Sequence, residues 1–340
     1  MQRSRVIIDV GALRRNVRTL RRALDGAELW AVVKADGYGH GAAAVARAAL
    51  EAGATALCVA TAGEGLALRR EFGAARVLVM GPTGRDELRD AREARLEIVV
   101  SGADVPVGLP IHLKLDTGMG RWGLAELPTP PVDVVGVMTH LASADCDERF
   151  TAEQVERFRS ATADLPERLV RHVANSAGAL RFPAARFDAA RCGIALYGLS
   201  PFGEDPARDG LEPVLRWESE LAQVKMLAPG QSTGYGRRFT ARRPTWIGLV
   251  PVGYADGFRR DLTGTEVLVG GERRRVVGTI SMDAFAVELG AELSVGTSVT
   301  LIGDGVLAEE HARISGTITY ELVCGIRRSE ERSDALVADD

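Results

Sequence analysis

Lys34 stands at the exit of an apolar run, Leu29 to Val33, and is followed by Gly37, Gly39 and Gly41 before the alanine-rich stretch Ala42 to Leu50. That order reads as strand, tight turn and helix. Parallel α/β folds gather ligands at the carboxyl ends of their strands, so the Lys34 amine faces a candidate active site where it could act as nucleophile or base. The alternative is a surface lysine beside an ordinary turn. Arg121 ends the Gly-rich loop Lys114 to Gly123, and its guanidinium could clamp a carboxylate or a phenolate with two hydrogen bonds. In Arg191 to Gly198, glycines near a strand end would let backbone N–H groups approach a phosphate. His140 closes another apolar run and could stack on or hydrogen-bond a ligand, although a structural role suits it equally. His40, His112, His172 and His311 show no partner pattern, no two histidines are spaced as metal ligands, and no metal site is expected. Tyr38, Tyr197, Tyr235 and Tyr254 each lie at or near a glycine, and a chain with 5 tyrosines uses few of them as filler.

Such side chains need rigid elements to converge. Short β-rich runs recur at Leu29 to Val33, Thr55 to Ala60, Arg76 to Met80, Glu97 to Val100, Ile111 to Leu115, Val134 to Thr139, Leu169 to Val173 and Ala190 to Tyr197. Eight runs with interspersed amphipathic stretches predict a (β/α)8 TIM-type barrel of class α/β over residues 10–212. Two crossovers, Ser101 to Pro110 and Leu124 to Val132, are too short for a full helix, so those two outer helices are expected to be short or absent. From residue 213 alternating segments such as Trp246 to Val250 and Ser298 to Ile302, broken by Gly and Asp turns, predict a mostly-β domain over 213–326. The first strand, residues 5–9, is a candidate to pack with that domain. The charged tail 327–340 is expected to be disordered.

Composition excludes several classes. The net charge of −4 leaves no basic footprint for nucleic acid, and no apolar run reaches the length of a membrane span. The N-terminus does not read as a signal peptide, which points to the cytoplasm. Cys58, Cys146, Cys192 and Cys324 are widely spaced and read as reduced, structural thiols.

Taken in order, eight segments resemble the bacterial alanine racemases, which place pyridoxal 5'-phosphate on a barrel followed by a C-terminal β domain. They are Val33 to Gly41, Lys114 to Gly123, Thr139 to Asp145, Ala174 to Ser176, Arg191 to Gly198, Pro251 to Gly257, Ser281 to Asp283 and Thr317 to Glu321. The resemblance runs from about Val6 to about Gly325, and its first segment and Gly253 to Gly257 are the most specific.

The resemblance implies an imine link from Lys34 to the cofactor and a phosphate site at Tyr38, Ser176, Gly193, Ile194 and Tyr320. Arg191 matches the residue facing the pyridine nitrogen, Arg121 the one near the phenolic oxygen and substrate carboxylate, and Met282 a backbone contact to substrate. Lys114 matches a lysine carbamylated in many members, where it orients the arginine. The implied reaction interconverts L- and D-alanine by proton transfer at Cα of the substrate imine, with Lys34 serving the D- and Tyr254 the L-enantiomer, and His140 assisting the phenol. The product would supply peptidoglycan. An always-charged Arg191 leaves the pyridine nitrogen unprotonated and disfavours transamination. Tyr254 and Met282 would complete the site of the other subunit of a head-to-tail homodimer. Racemisation of serine or another small amino acid is the alternative activity. A non-catalytic pyridoxal-phosphate-binding barrel is disfavoured by Tyr254 in a β domain.

Three departures from the family pattern stand out. Gly234-Tyr235-Gly236 replaces Ser-Tyr-Gly, Thr279 replaces a basic residue, and Arg327-Arg328-Ser329-Glu330 replaces Arg-Val-Pro-Arg.

Overall fold

The computed structural model describes residues 3–328 and 333–339, which fall into two compact units. The departure at Ser329 and Glu330 therefore lies outside the described residues.

One unit, Ala12–Phe202 with Pro206–Glu212, is a closed barrel of eight parallel strands. In order they are Glu28–Val32, Ala56–Val59, Arg76–Val79, Glu97–Val100, Ile111–Lys114, Val134–Met138, Val170–His172 and Ala189–Cys192. The last pairs with the first, Arg191 opposite Trp30, which closes the ring. Most strand residues are buried, as expected of strands enclosed by a barrel core inside and helices outside. The helix Val10–Leu24 shows how the sequence makes the outer layer: Leu13, Val17, Leu20 and Leu24 recur at helical spacing and are all buried.

Residues 101–110 and 124–132 contain no helix, so the fifth and sixth strands are reached by loops alone. The eighth run is a strand only as far as Cys192. Gly193, at φ −117° and ψ −94°, turns the chain out of the sheet into a 3-10 turn, Ile194–Tyr197, where a continued strand was expected.

The other unit comprises the described residues within Met1–Gly11, Gly203–Asp205 and Pro213–Asp340. Its nine-stranded sheet runs Gln223–Leu227, Thr245–Val250, Phe285–Leu289, Glu272–Val277, Glu266–Val269, Ser298–Ile302, Leu215–Glu220, Arg5–Asp9 and Asp334–Ala338. The strand Arg5–Asp9 pairs antiparallel with Leu215–Glu220, Val6 opposite Trp217. The tail departs from expectation: Asp334–Ala338 is an edge strand parallel to Arg5–Asp9, Ile8 opposite Val337. Backbone pairing makes this strand, since Leu336 and Val337 remain 46% and 60% exposed, and a core-facing pattern is therefore missing from it. Among the described residues no helix is long and apolar enough to cross a membrane.

Candidate active site

Lys34 leaves the first barrel strand into an unusual turn. Ala35, Asp36, Gly37 and Tyr38 have φ of 51°, 51°, 60° and 52°, a left-handed run that includes three residues with a Cβ. Each non-glycine residue in this region costs about 1–2 kcal/mol, so the turn needs outside support. Glu64, on the helix Ala62–Glu71, supplies it. One of its oxygens accepts from the Ala35 N–H at 2.7 Å, and the other from the N–H groups of Ala60 and Thr61 at 2.7 and 3.1 Å. Asp36 accepts from the Ala42 N–H at 2.9 Å and so joins the turn to the next helix. The outcome fixes Lys34 at the strand end, its Nζ 6.0 Å from the Tyr38 ring centre.

Tyr38, buried, points toward the last barrel strand. A Cβ built on Gly193 would lie 2.6 Å from the Tyr38 hydroxyl, so only glycine permits this approach. The Ser176 Oγ, at the start of the helix Ser176–Arg181, accepts from the N–H groups of Gly193 and Ala195 at 2.9 and 3.3 Å. Two hydroxyls and the N–H groups of a turn thus gather at one end of the barrel, a concavity suited to a phosphate.

Arg191 is buried and held through both of its terminal nitrogens. It donates to His172 Nδ1, His172 O and Thr139 O at 2.8 Å, to Val173 O at 3.1 Å and to His140 Nδ1 at 3.4 Å. Burial pulls its pKa down to about 10, so it stays charged at neutrality. His140, just beyond the sixth strand, is held well below its ordinary pKa by burial and then by Arg191, Lys114, Arg121 and Lys34. It is therefore a neutral imidazole, and accepting from Arg191 on Nδ1 places its proton on Nε2.

Lys114 ends the fifth strand and is 4% exposed. Its Nζ and the Arg121 guanidinium lie 5.8 and 5.2 Å from the Trp122 ring centre, two cations on one indole. Burial, then Arg121 and Arg191, lower the Lys114 pKa to about 8.

The remaining predicted residues belong to the β unit. Tyr254 and Met282 lie side by side: the Tyr254 N–H donates to Ser281 O at 3.1 Å and the Ala255 N–H to Met282 O at 3.0 Å. A Cβ on Gly253 would meet Met282 O at 2.3 Å, so glycine is required for this packing. Both side chains are exposed, 44% and 52%. Tyr320 lies in the helix Thr319–Gly325.

Sequence reasoning missed two features. Glu64 reads only as a helix N-terminal acid in Thr61-Ala62-Gly63-Glu64, a capping-box pattern that the structure bears out. His112 and His172, given no role, join Glu97 and Arg191 in one buried chain of hydrogen bonds. The available signal was His112 and Lys114 at i and i+2 on one strand, which places both on one face.

Comparison with known proteins follows the same division of the chain. The family model of the alanine racemase N-terminal domain matches residues 8–201, and that of the C-terminal domain residues 214–333. Alanine racemase from Geobacillus kaustophilus is 41% identical across an alignment of 358 positions that covers 94% of this chain and 91% of that protein. The crystal structure of the biosynthetic alanine racemase from Pseudomonas aeruginosa superposes with a TM-score of 0.92 at 35% identity, covering 99% of this chain and all of that one (100%). The alanine racemase structure from Bartonella henselae, which carries covalently bound pyridoxal phosphate, superposes with a TM-score of 0.91 at 27% identity, covering 99% of this chain and 100% of that one.

Proposed function

The chain belongs to the alanine racemase family, isomerases that interconvert L- and D-alanine, and we propose that in this member Lys34 and Tyr254 are the two opposed acid/base groups of the reaction. The observation that carries the assignment is the Lys34 turn, whose left-handed backbone is braced by Glu64 and opens toward a hydroxyl and N–H cradle beside a buried Arg191.

The residues present fit pyridoxal 5'-phosphate. The Tyr38 and Ser176 hydroxyls and the turn at Gly193 suit its phosphate, and the Gly193 position, which a Cβ would fill, suits a close approach. Lys34, Tyr38, Ser176, Gly193 and Ile194 would hold it, with Arg191 at its ring nitrogen and Arg121 and His140 along its flank. Tyr320 joins them by its match to the family pattern alone. Bound there, the cofactor supplies the electron sink that makes the Cα proton of an amino acid removable.

Everything else falls to the side chains. Arg121 clamps the substrate carboxylate, and Met282 lines the substrate site through its backbone. Lys34 takes or delivers the proton on one face of Cα, serving the D-enantiomer, and Tyr254 does so on the opposite face for the L-enantiomer. A phenol is a poor base near neutrality unless its anion is stabilised. The His140 Nε2–H, directed by the Arg191 contact at Nδ1, is a donor suited to that anion. Tyr254 and Met282, exposed together on the β unit, are read as reaching the barrel site of a second copy in a head-to-tail homodimer. Lys114 is read as carbamylated: its neutral amine adds to carbon dioxide, loses a proton and becomes an N-carboxylate that pairs with Arg121. The D-alanine formed serves peptidoglycan synthesis.

The test uses the purified enzyme with pyridoxal 5'-phosphate added. L-alanine should yield D-alanine, at a rate above that for L-serine. Tyr254→Phe should retain the cofactor and the exchange of the D-alanine Cα proton with solvent, yet lose racemisation. Racemisation at the wild-type rate in Tyr254→Phe would remove the two-base assignment.

A further inference from the structure

The interior of a parallel barrel is ordinarily filled with branched apolar side chains. Here it holds a polar column. Glu97 opens the fourth strand, His112 lies on the fifth, His172 ends the seventh and Arg191 lies on the eighth. The Glu97 Oε2 is 2.8 Å from His112 Nε2, His112 Nδ1 is 2.8 Å from His172 Nε2, and His172 Nδ1 is 2.8 Å from an Arg191 NH1. Trp30, from the first strand, packs on both imidazoles, with ring centres 5.8 and 4.5 Å away, so the column stands inside the ring of strands. The sixth strand lies between the two histidines, and it has a glycine there. A Cβ on Gly136 would come 2.3 Å from His112 Nδ1 and close the gap.

The two ends fix the direction of every proton. Arg191 can only donate, so His172 Nδ1 must accept and the His172 proton sits on Nε2. That proton faces His112 Nδ1, which therefore accepts, and the His112 proton sits on Nε2 facing Glu97. The carboxylate accepts it, while its other oxygen accepts from Arg76 Nε at 2.6 Å. Burial keeps both imidazoles below their ordinary pKa, against the pull of Glu97 on His112, consistent with neutral rings. For Glu97, burial pushes upward, but the hydrogen bonds from His112 and Arg76 outweigh it and hold the carboxyl below its usual range.

We propose that Glu97, His112 and His172 are positioning residues for Arg191: the Glu97 carboxylate sets the tautomers of both histidines, and His172 Nδ1 then joins the backbone carbonyls of Thr139, His172 and Val173 as an acceptor that orients the guanidinium. The inference rests on Arg191 facing the cofactor ring, and the test separates the two. Histidine tautomers report the column, whereas a cofactor absorption spectrum unchanged by Arg191→Leu would remove the reading of Arg191 itself.

Glu97→Gln makes a sharp test. Arg76 is donor-only, so the amide oxygen must face it and the NH2 must face His112. His112 Nε2 then has to accept, both rings switch their proton to Nδ1, and His172 meets Arg191 donor against donor. In the cofactor-loaded wild type, 15N spectra of His112 and His172 should show protons on Nε2 alone. Glu97→Gln should shift both rings or break their contact, and lower kcat about 10- to 100-fold, the usual effect of losing a supporting hydrogen bond behind a reactive group, with KM changed less than about threefold. Adding Arg76→Met frees the amide to turn over, and should restore the wild-type tautomers and most of kcat. Wild-type rings protonated on Nδ1 would overturn the proposal without any variant. Wild-type tautomers with unchanged kcat in Glu97→Gln, or equal losses of kcat and thermal stability in the single and double variants, would overturn it too.

Discussion

Replacing Glu64 with alanine should loosen the turn that presents Lys34, and the structure sets the scale. The carboxylate accepts from three backbone N–H groups, of Ala35, Ala60 and Thr61. A hydrogen bond to a charged group contributes about 1.5–3 kcal/mol. Those of Ala35 and Thr61 lie at the surface, where water replaces much of the loss, so a net local cost of about 2–4 kcal/mol is expected. Against it stand Ala35, Asp36 and Tyr38, whose left-handed conformation together stores roughly 3–6 kcal/mol. The brace and the strain are comparable, so removing the brace should let the turn open. Local opening is read by amide hydrogen exchange at Gly37 and Gly39, which donate to Val33 O and Ala35 O. At about 1.4 kcal/mol per tenfold, exchange there should quicken roughly 30- to 700-fold, with kcat falling more than KM rises. Glu64→Gln should behave nearly as badly, because an amide offers one oxygen where the carboxylate uses two. Exchange within about threefold of wild type at both glycines, in either variant, would refute the idea that Glu64 holds the turn.

Mixing Lys34→Ala with Tyr254→Phe chains under proven subunit exchange should recover about one quarter of wild-type activity, since half the dimers are mixed and each has one intact site; no recovery would end the shared-site proposal. With a pKa of about 8, Lys114 should be about half neutral at pH 8, against roughly 0.4% for an ordinary lysine. Labelled bicarbonate should therefore give a carbamate signal that rises through pH 8, falls away in acid and is missing in Lys114→Met; an intact mass equal to the bare chain in bicarbonate under gentle conditions would count against the modification. Cys58 and Cys192 are fully buried, and burial pushes their thiols up to about 12. A chromogenic thiol reagent should accordingly find two accessible thiols in the native protein, Cys146 and Cys324, with Cys146 slowed by the neighbouring Asp145 carboxylate, and four after unfolding.

Lys34 and His140 were legible because each follows the end of an apolar run, Lys114 and Arg191 because each leads into a glycine-bearing segment, and the two helix-free crossovers because nine or ten residues cannot hold a helix with its loops. The left-handed course of Ala35 and Asp36 was not: alanine ordinarily favours the right-handed helix, and the distant Glu64 carboxylate, with Asp36 bonded to the Ala42 N–H, holds the turn against that preference. Glu97, His112 and His172 were illegible for a different reason. They sit on three strands, and only barrel closure, with a glycine at position 136 of the intervening strand, lets them touch. The tail strand was hidden because acidic and basic neighbours mask a short apolar run whose partner is some three hundred residues away by the observed pairing of Arg5 with Asp334.

That last pairing bears on how the molecule is made. Both flanks of the strand Arg5–Asp9 are taken by segments far downstream, Leu215–Glu220 on one side and Asp334–Ala338 on the other. During synthesis the barrel segment, complete by about residue 212, can collapse while the remainder is still being translated. The strand at residue 5 must meanwhile wait with both edges open, an aggregation hazard that only the late β segments remove. Slowing elongation should therefore prolong a state with an intact barrel and an unfinished sheet, and a chaperone that shields strand edges should help this protein most in that interval.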